Sequence, residues 1–447
     1  MSALPHRTEI LVVGGGPAGL ATALSLKKSG CTDITVVDSV PEGHNSSRAM
    51  VVHAATVEAL EEIGCADAVL SRGIKTTGGK LWDGHMFHSV PPNFGVLAPY
   101  TKYPYILLVT QHIVESVLQL RIREQDIKVY RPYKVFDLRT NDIDPDYTDV
   151  IFEDGQVVEA HYVIGADGAR STVRQVAGIN YIDPYENKTR IHLEQAILAD
   201  VVFEGNTGLP ISRTEQLYVL GDGNWCIAFP ISDTSYKEND VWRISCGVLA
   251  GEPPSAPSLE YLQDLLDTYG PATIPGAPPL KISKVIWSAR FKTGSANADK
   301  YVTRLTGASK GGQVTGGTVV LIGDAAHKHP PTGGQGMNLG LRDAVFLGPV
   351  LAQYITQMKT AKSPSERAKA DAQLLKWGYE RRAQAVIVIT LANRVLTAMS
   401  LRDGWTWYFG IIPVNWTSIR AWAVWFLGTT GLAARILPWK LSGLQNR

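Results

Sequence analysis

The chain has 447 residues, 45% of them hydrophobic and 19% charged, and its 43 basic and 42 acidic residues give a formal net charge of +1. This balance argues against nucleic acid as the main partner, because phosphate binding needs a basic surface. The composition predicts a globular chain of two or three domains and excludes disorder as a description of the whole chain. Four cysteines without a Cys-x-x-Cys pair exclude a disulfide scaffold and favour a reducing, cytoplasmic location.

The first predicted elements form a βαβ unit. An apolar run at 10–13 precedes the sequence GGGPAG at 14–19, a helical pattern extends to about residue 30, and a second apolar run covers 34–37. A strand, a glycine turn, a helix and a strand within about thirty residues are typical of a dinucleotide-binding unit.

The glycine turn has a physical reason at each position. Gly14 permits the tight turn, Gly16 lets the backbone approach a pyrophosphate, and Gly19 lets the helix pack closely on the strand. Asp38 ends the second strand, where an acid can bind a ribose hydroxyl. This pattern predicts a dinucleotide site without distinguishing NAD from FAD.

Further elements follow in two groups. The ends of the chain continue the βαβ pattern, with predicted helices at 51–64, 111–124 and 364–400 (one long helix or two) and strands at 129–137, 148–152, 157–165 and 318–322. The middle of the chain alternates apolar and polar residues, which predicts a mostly antiparallel sheet with strands at 216–220, 225–231 and 242–248. A second domain is therefore expected to be inserted into the first. Residues 307–317 contain five glycines and are predicted to be a surface insertion rather than a mobile lid.

The C-terminal tail is rich in tryptophan. Residues 404–439 contain six of the eleven tryptophans and two charges, Arg420 and Arg435. Its uncharged stretches are shorter than the roughly 18–20 residues that cross a bilayer. Two interpretations stay open: helices that pack on the body of the protein or on another subunit, and an interfacial membrane anchor.

Two further motifs identify a family. The sequence GADGARSTVR at 165–174 resembles the "DG" motif of flavoprotein monooxygenases. The sequence GDAAH at 323–327, continued by PPTGGQGMN at 330–338 and Asp343-Ala344, resembles their "GD" motif and the flavin-contacting loop and helix that follow it. With the first glycine turn, the chain is similar to the single-component (class A) FAD-dependent monooxygenases, such as the para-hydroxybenzoate, phenol and salicylate hydroxylases.

The resemblance implies an α/β fold: a Rossmann-like FAD-binding domain with a mostly parallel sheet, an inserted antiparallel-sheet substrate domain and a helical C-terminal tail. We expect a discontinuous FAD-binding domain at 1–180 and 290–360. The substrate domain is expected at 181–289 with part of 70–108, and the helical region at 361–447.

The resemblance also implies which residues hold the FAD. Asp324 would accept hydrogen bonds from the ribityl or ribose hydroxyls, and the helix that begins near Gly334 would direct its positive end at the flavin. His327 is predicted to be a hydrogen-bonded structural residue, and no metal site is expected. The predicted cofactor-binding residues are Gly14, Gly16, Gly19, Asp38, Arg48, Gln111, Asp167, Asp324, Pro331, Gly334, Gly336, Met337 and Asn338.

The implied activity is oxygen transfer to a small molecule. NADPH or NADH would reduce the FAD, O₂ would add to the flavin as a 4a-hydroperoxide, and its distal oxygen would hydroxylate an aromatic, phenolic or polyketide-like substrate. A basic or hydroxyl group near the substrate is expected from the inserted sheet. The candidates are Arg190, Arg213 and Tyr218, with His53 as a weaker one.

Alternatives stay open. The same chemistry could perform epoxidation or Baeyer-Villiger oxidation of an apolar terpenoid intermediate, and a different class of protein is a non-catalytic FAD-binding module. The flavin halogenases carry W-x-W-x-I-P, whereas residues 225–230 are WCIAFP, which lacks the second tryptophan. Peripheral membrane association through 404–439 and a homodimer are the partner hypotheses beyond substrate and O₂.

Overall fold

The structure is a computed structural model. It describes residues 3–41, 49–90, 93–184, 195–205, 212–232, 236, 240–248, 252–292, 294–305, 317–402, 405–408, 412–430 and 432–446. Two predicted site residues, Arg48 and Arg190, and most of the glycine-rich segment 307–317 lie outside these ranges.

Helices are distributed along the whole described chain. The α-helices are α1 (Pro17–Lys28), α2 (Ala54–Glu62), α3 (Ala66–Leu70), α4 (Gln111–Glu124), α5 (Thr172–Val176), α6 (Leu259–Tyr269), α7 (Gln335–Thr360), α8 (Pro364–Met399), α9 (Trp416–Thr430) and α10 (Leu432–Ser442). Short 3₁₀ turns cover Phe94–Leu97, Pro271–Thr273, Gly323–Ala325, Thr332–Gly334 and Leu444–Asn446.

Strands connect these helices. They are β1 (Arg7–Val13), β2 (Ile34–Val37), β3 (Val51–Val52), β4 (Ile74–Thr76), β5 (Gly79–Trp82), β6 (Phe87–Val90), β7 (Ile106–Leu108), β8 (Lys128–Tyr130), β9 (Val135–Thr140), β10 (Thr148–Phe152), β11 (Val157–Gly165), β12 (Tyr181–Ile182), β13 (Gln195–Phe203), β14 (Gln216–Leu220), β15 (Trp225–Pro230), β16 (Val241–Gly247), β17 (Ile282–Lys292), β18 (Ala296–Ala298), β19 (Val302–Arg304), β20 (Thr318–Leu321), β21 (His327–Lys328), β22 (Trp405–Tyr408) and β23 (Ile412–Asn415).

The larger sheet has the order β19-β20-β11-β1-β2-β8, with β10 paired to β11 and β9 paired to β10. The pairs β20-β11, β11-β1, β1-β2 and β2-β8 are parallel. Its central strands are continuous apolar runs because helices including α1 and α7 cover them in one hydrophobic core. The predicted mostly parallel sheet is confirmed, and it joins residues before 170 to residues after 300.

The second sheet has seven strands in the order β17-β13-β16-β15-β14-β5-β6. All its pairs are antiparallel except β14-β5, which is parallel. One face packs on Leu262, Leu265 and Leu266 of α6. The opposite face packs on Leu396 and Met399 at the end of α8. The predicted antiparallel sheet is confirmed, and strands from residues 79–90 complete it.

Two predicted elements differ from the structure. The segment 129–137, predicted as one strand, is split between β8 and β9, because Pro132 cannot donate a backbone hydrogen bond to continue a ladder. The predicted helix 51–64 begins as β3 and becomes helical only at Ala54, because Val51 and Val52 pair with β7. By contrast, 364–400 forms one continuous helix.

The tail forms the β22-β23 hairpin and helices α9 and α10. Among the described residues, no helix is both long enough and apolar enough to cross a membrane. The end of the tail lies against the first domain, where Trp439 makes an edge contact with Tyr100 at 5.1 Å between ring centroids.

Candidate functional site

The first glycine turn is built so that only glycine fits at two of its positions. Gly14 has φ +113°, and a Cβ there would lie 2.2 Å from the carbonyl oxygen of Ala166. A Cβ on Gly19 would lie 1.8 Å from the carbonyl oxygen of Gly14. These contacts bring the DG motif and the first turn of α1 against the end of β1.

Gly16 occupies the opposite, open side of this turn. It caps α1 in an extended conformation, no side chain caps the helix, and a Cβ there would meet nothing within 4 Å. The first N–H groups of α1 therefore have no side-chain cap, and such a helix terminus favours an anion such as a pyrophosphate.

Asp38 lies beside the glycine turn but already has protein partners. Its Oδ2 accepts a hydrogen bond from the Gly15 N–H at 3.0 Å and lies 3.2 Å from Nη2 of Arg131. The same Nη2 donates to the Gly15 carbonyl at 2.9 Å. Arg131 was not among the predicted site residues, although a charged residue directly after the parallel strand β8 was a usable signal. A ribose hydroxyl at Asp38 would share the carboxylate with this guanidinium.

Asp167 of the DG motif is used by its own turn. Its Oδ1 accepts from the Ser171 hydroxyl at 2.5 Å and its Oδ2 accepts from the Val173 N–H at 3.1 Å. Burial raises the pKa of Asp167, and these hydrogen bonds oppose the rise. Its carboxylate therefore shapes the start of α5.

Arg174 links the DG motif to the GD motif. Its Nη1 donates to the Ala325 carbonyl at 3.0 Å and its Nη2 donates to the Ala169 carbonyl at 3.0 Å. The guanidinium carbon also lies 3.8 Å from the centroid of the Tyr181 ring. This buried side chain was quoted in the motif, but its bridging role was not predicted, because the partners are carbonyls that only the fold brings together.

Asp324 is the polar group most available to a ligand. It is exposed in the 3₁₀ turn between the buried residues Gly323 and Ala325. No group in the described part of the chain pairs with its carboxylate, while its main-chain carbonyl accepts from the Tyr181 hydroxyl at 3.0 Å. A Cβ on Gly323 would lie 3.1 Å from Cβ of Ala18, so this turn lies against the first turn of α1.

His327 belongs to a buried ionic network. Its Nε2 lies 2.5 Å from Oδ2 of Asp343, and Nε of Arg381 donates to Oδ1 of Asp343 at 2.7 Å. Burial alone raises the pKa of Asp343, but the charges of Arg381 and His327 outweigh it and hold that pKa below its ordinary value. The prediction of a structural, hydrogen-bonded histidine is confirmed. Within the described ranges, no cluster of three or more His, Cys, Asp or Glu side chains could hold a metal.

The turn before α7 contains two left-handed glycines. Gly333 has φ +77° and Gly334 has φ +63°, and a Cβ on Gly334 would lie 2.6 Å from Cβ of Val51. The Gly334 N–H donates to the Pro331 carbonyl at 3.0 Å, and no side chain caps α7. We call residues 332–335 the glycine turn of α7. The first N–H groups of α7 are therefore left for a ligand.

The other predicted cofactor-binding residues of this segment contact other parts of the protein. Asn338 is fully buried, and its side chain accepts from the His53 N–H at 2.8 Å and donates to the carbonyls of Val51 and Gly334 at 2.7 and 2.6 Å. Met337 packs partly buried against the main core, and Gly336 lies near His329. Any contact of Asn338 with a cofactor would therefore be made by its main chain.

Two histidines lie beside the same turn. His53 is buried, and its Nε2 lies 2.8 Å from the Gly333 carbonyl. Burial lowers the pKa of His53 to about 4, so the ring is neutral and donates through Nε2. His329 uses Nδ1 toward the Pro330 carbonyl at 2.7 Å, while its Nε2 is buried and has no partner in the described part of the chain.

Gln111 begins α4, as predicted, and its Nε2 donates to Oε1 of Glu115 at 2.8 Å. Its backbone N–H donates to the Ala49 carbonyl at 2.9 Å, so the start of α4 lies beside the segment that precedes β3. Burial raises the pKa of Glu115. The structure thus places the start of α4 beside Ala49, which is far from it in the sequence.

The catalytic candidates on the second sheet have different surroundings. Arg213 donates to the carbonyls of Val241 and Ile231 at 3.1 and 2.8 Å and pairs with Asp240 at 2.7 Å, so its guanidinium is engaged in the sheet. Tyr218 lies on the face that packs on α8 and donates its hydroxyl to Oε1 of Gln216. Gln216 is 3% exposed, and its Nε2 is buried without a partner among the described residues.

The surroundings of Tyr218 are apolar. Leu220, Trp225 and Ile227 share this face with Leu396 and Met399 of α8, and α8 also contacts the 3₁₀ turn Thr332–Gly334. The pair Gln216 and Tyr218 is thus a polar group in an apolar surface packed on the end of α8, a helix that also contacts the turn before α7. Gln216 was not among the predicted site residues.

Three motifs far apart in sequence therefore meet at one place. Gly14 contacts the DG motif, Gly323 contacts α1, and Arg174 connects the DG and GD motifs. Two uncapped helix N-termini and the unpartnered carboxylate of Asp324 belong to this junction. This set of groups fits an FAD. It offers donors for the phosphates, an acceptor for hydroxyls and glycines that let the backbone approach the cofactor closely.

Comparison with known proteins agrees with this geometry. The family described as FAD binding domain matches residues 7–210 and 311–376. Rifampicin monooxygenase of Streptomyces venezuelae is 28% identical over 78% of this chain and 64% of the relative. Anhydrotetracycline monooxygenase of Streptomyces rimosus is 30% identical over 76% of this chain and 62% of the relative. The chain thus spans less than two thirds of the length of these two relatives.

Solved structures are similar over nearly the whole chain. The anhydrotetracycline hydroxylase structure from Streptomyces rimosus has a TM-score of 0.69 and 26% identity, covering 99% of this chain and 77% of that one. The p-nitrophenol 4-monooxygenase structure from Pseudomonas putida has a TM-score of 0.72 and 23% identity, covering 99% and 100%. At 23% identity, the similarity to the p-nitrophenol 4-monooxygenase structure concerns the fold alone.

Proposed function

We propose that this chain, which belongs to the FAD binding domain family, is an FAD-dependent monooxygenase that acts on aromatic or polyketide-like small molecules. The observation that carries the proposal is the meeting of three motifs around two uncapped helix N-termini and the Asp324 carboxylate, which no described residue pairs with. The names of the similar proteins, which include monooxygenases of rifampicin and anhydrotetracycline, support the same reaction class.

The residues of this chain would bind and orient the cofactor. The N-terminus of α1 would bind the pyrophosphate, Asp324 would accept hydrogen bonds from hydroxyls, and the N-terminus of α7 would face the ring system. Bound FAD would supply electron transfer from NADPH or NADH and activation of O₂. The apolar side chains around Tyr218 would exclude water from the substrate.

We propose that Gln216 and Tyr218 orient the substrate. Among the described residues, Nε2 of Gln216 lacks a partner, so a carbonyl or phenolic oxygen of the substrate would satisfy a buried donor. Burial raises the pKa of Tyr218, so its hydroxyl stays protonated and acts as a hydrogen-bonding group rather than as a base. Arg213 is less suited because its donors are already used.

The reaction is tested with the purified chain reconstituted with FAD. We expect substrate-stimulated NADPH or NADH oxidation in a panel of phenols, polyketides and terpenoids, with one labelled oxygen atom from ¹⁸O₂ in the product. A hydroxylated aromatic product supports the main proposal, whereas an epoxide or lactone from a terpenoid supports the alternative. FAD binding without stimulation by any compound would identify a non-catalytic FAD-binding module.

The orienting pair is tested by Gln216→Leu and Tyr218→Phe. Each removes a polar group that meets the substrate, so KM should rise roughly fivefold to twentyfold, as for loss of one hydrogen bond to a buried group, while the flavin absorption stays unchanged. Tyr269→Phe, on the opposite face of the sheet, is the matched control. An unchanged KM in both variants would refute the assignment.

We also propose that α9 rests on a membrane surface. Trp416, Ile419, Trp422 and Phe426 form a stripe at helical spacing and are 38%, 44%, 60% and 40% exposed. Residues 404–447 contain four cations and no acidic residue, a combination that suits anionic lipid headgroups.

The membrane proposal is tested by co-sedimentation with vesicles of phosphatidylcholine, with and without phosphatidylserine. Binding should require the anionic lipid and be lost in Trp422→Glu, while the free protein is monomeric by light scattering. A dimer that Trp422→Glu dissociates, without vesicle binding, would show instead that this face joins two copies of the chain.

A further inference from the structure

The glycine turn of α7 cannot maintain its own shape. Two consecutive residues, Gly333 and Gly334, adopt left-handed conformations, and glycine loses more conformational freedom on folding than any other residue. No side chain caps α7, so the N–H groups that would face a cofactor are oriented only by the surrounding structure. Tertiary contacts must therefore hold this turn.

Two of these contacts come from the N-terminal part of the chain. His53 donates through Nε2 to the Gly333 carbonyl, and Asn338 joins the Gly334 carbonyl to the Val51 carbonyl. Both involve the segment from β3 to the start of α2. They secure one side of the turn.

The other side is held by the last part of the described chain. Nε2 of Gln335 donates to the Leu441 carbonyl at 3.0 Å, across 106 residues of sequence. A Cβ on Gly333 would lie 3.4 Å from Cδ2 of Leu441, so the Leu441 side chain also covers the turn. The contact is therefore both polar and apolar.

The C-terminal segment is itself fixed at this place. Nη1 of Arg342, about two turns further along α7 than Gln335, donates to the Gly443 carbonyl at 3.2 Å. Gly443 has φ +76°, and a Cβ there would lie only 2.2 Å from Nη1 of Arg342. Ser442 and Leu444 are 1% and 2% exposed. Because residues 442 and 444 are almost completely buried, this segment is an integral part of the site.

We infer that residues 441–444, the C-terminal clamp, position the glycine turn of α7 and thereby set how tightly the chain retains FAD. This inference rests on the proposed FAD site. A cofactor held by fixed N–H groups loses affinity when these groups lose their orientation, because ordering the turn then has to accompany binding. Gln335 and Gly443 are positioning residues that act through the turn.

The polar contact is tested by Gln335→Met, which keeps the length of the side chain and removes its donor. The dissociation constant of FAD, measured by fluorescence titration of the apoprotein, should rise about fivefold to tenfold, and FAD release should be faster. The matched control is Gln263→Met on α6, because Nε2 of Gln263 also donates to a distant carbonyl, that of Leu280, at 2.8 Å in the cluster that α6 forms with the second sheet. The control should retain wild-type FAD affinity even if it lowers thermal stability equally.

The packing of the clamp is tested by Gly443→Ala against Gly276→Ala. Both glycines have a similar left-handed φ, +76° and +79°, but a Cβ on Gly276 meets nothing within 4 Å. The backbone strain is thus alike, and only Gly443→Ala disturbs Arg342. We expect weaker FAD binding in Gly443→Ala alone.

The outcomes separate the two proposals. Wild-type FAD affinity in both Gln335→Met and Gly443→Ala would overturn the clamp while leaving the proposed function intact. If the wild-type chain binds no FAD, the proposed function fails first, and the clamp fails with it.

Discussion

Single residues decide the chemistry of the junction between the motifs. Asp324 differs from the other acids there, because Asp38 and Asp167 already have protein partners while the Asp324 carboxylate has none among the described residues. An exposed acid between two buried neighbours contributes little to folding and is available for binding. The motif predicted the residue, and the structure explains why this acid, rather than Asp167, is free for a ligand.

Asp324→Ala should abolish tight FAD binding without unfolding the protein. Loss of a charge-assisted hydrogen bond to a hydroxyl should raise the dissociation constant of FAD roughly tenfold to a hundredfold, and the apoprotein should keep its Tm. Flavin titration and thermal denaturation of the apoprotein check this. Asp264→Ala on α6, also exposed, is the control, and a fully yellow, active Asp324→Ala would contradict the assignment.

His53 should make stability depend on pH. Burial lowers its pKa from the ordinary 6.5 to about 4, so the unfolded chain binds a proton more readily than the folded chain between these values. The free energy of unfolding therefore has its full value above pH 6.5 and falls by roughly 3 kcal/mol as the pH falls to 4. Urea denaturation across this range should give a flatter profile for His53→Gln than for the wild type, and an equally steep profile would contradict this role of His53.

At the scale of elements, helix packing brings the motifs into contact. A Cβ on Gly348 of α7 would lie 2.1 Å from Oγ of Ser25 in α1, and Ser25 donates this hydroxyl to the Val345 carbonyl at 2.7 Å. The two helices that carry the uncapped N-termini are therefore packed almost backbone to backbone. Sequence periodicity predicted both helices but not their close approach.

Gly348→Val should destabilise the first domain by about 3 kcal/mol, because the added side chain overpacks this contact. The free energy of unfolding from urea titrations measures the effect, and bound FAD should stabilise the variant in the same way as the wild type. Gln353→Val places the same side chain on an exposed position of α7 and should be nearly neutral. Equal stability of the two variants would show that the helices can separate without cost.

At the scale of the whole molecule, a buried ionic network joins distant parts of the chain. Asp343 of α7 accepts from Arg381 of α8 and pairs with His327 after the GD turn, and its side chain is fully buried. Removing one partner of such a network leaves an uncompensated buried charge. The network therefore couples the cofactor-facing turn to the long helix that also packs on the second sheet.

Asp343→Asn should cost about 3–5 kcal/mol of unfolding free energy at neutral pH, because it leaves the Arg381 guanidinium buried without its counter-charge. The double variant Asp343→Asn/Arg381→Met should lose less than the sum of the two single variants. Urea denaturation of all three measures the coupling. Strict additivity would mean that the two side chains do not interact energetically.

The sequence by itself determined the first βαβ unit, helix α4 from Gln111 to Glu124 and the antiparallel sheet, because these depend on local periodicity and on glycines whose role is set within a few residues. The family followed from the resemblance of three motifs. Only the tertiary structure decided which polar atoms are already used. It placed Arg131 beside Asp38, engaged Arg213 in the sheet, left Nε2 of Gln216 without a partner among the described residues and brought Leu441 to the glycine turn of α7. These contacts join residues that are far apart in the chain, so hydrophobic periodicity, which describes only neighbouring residues, does not specify them.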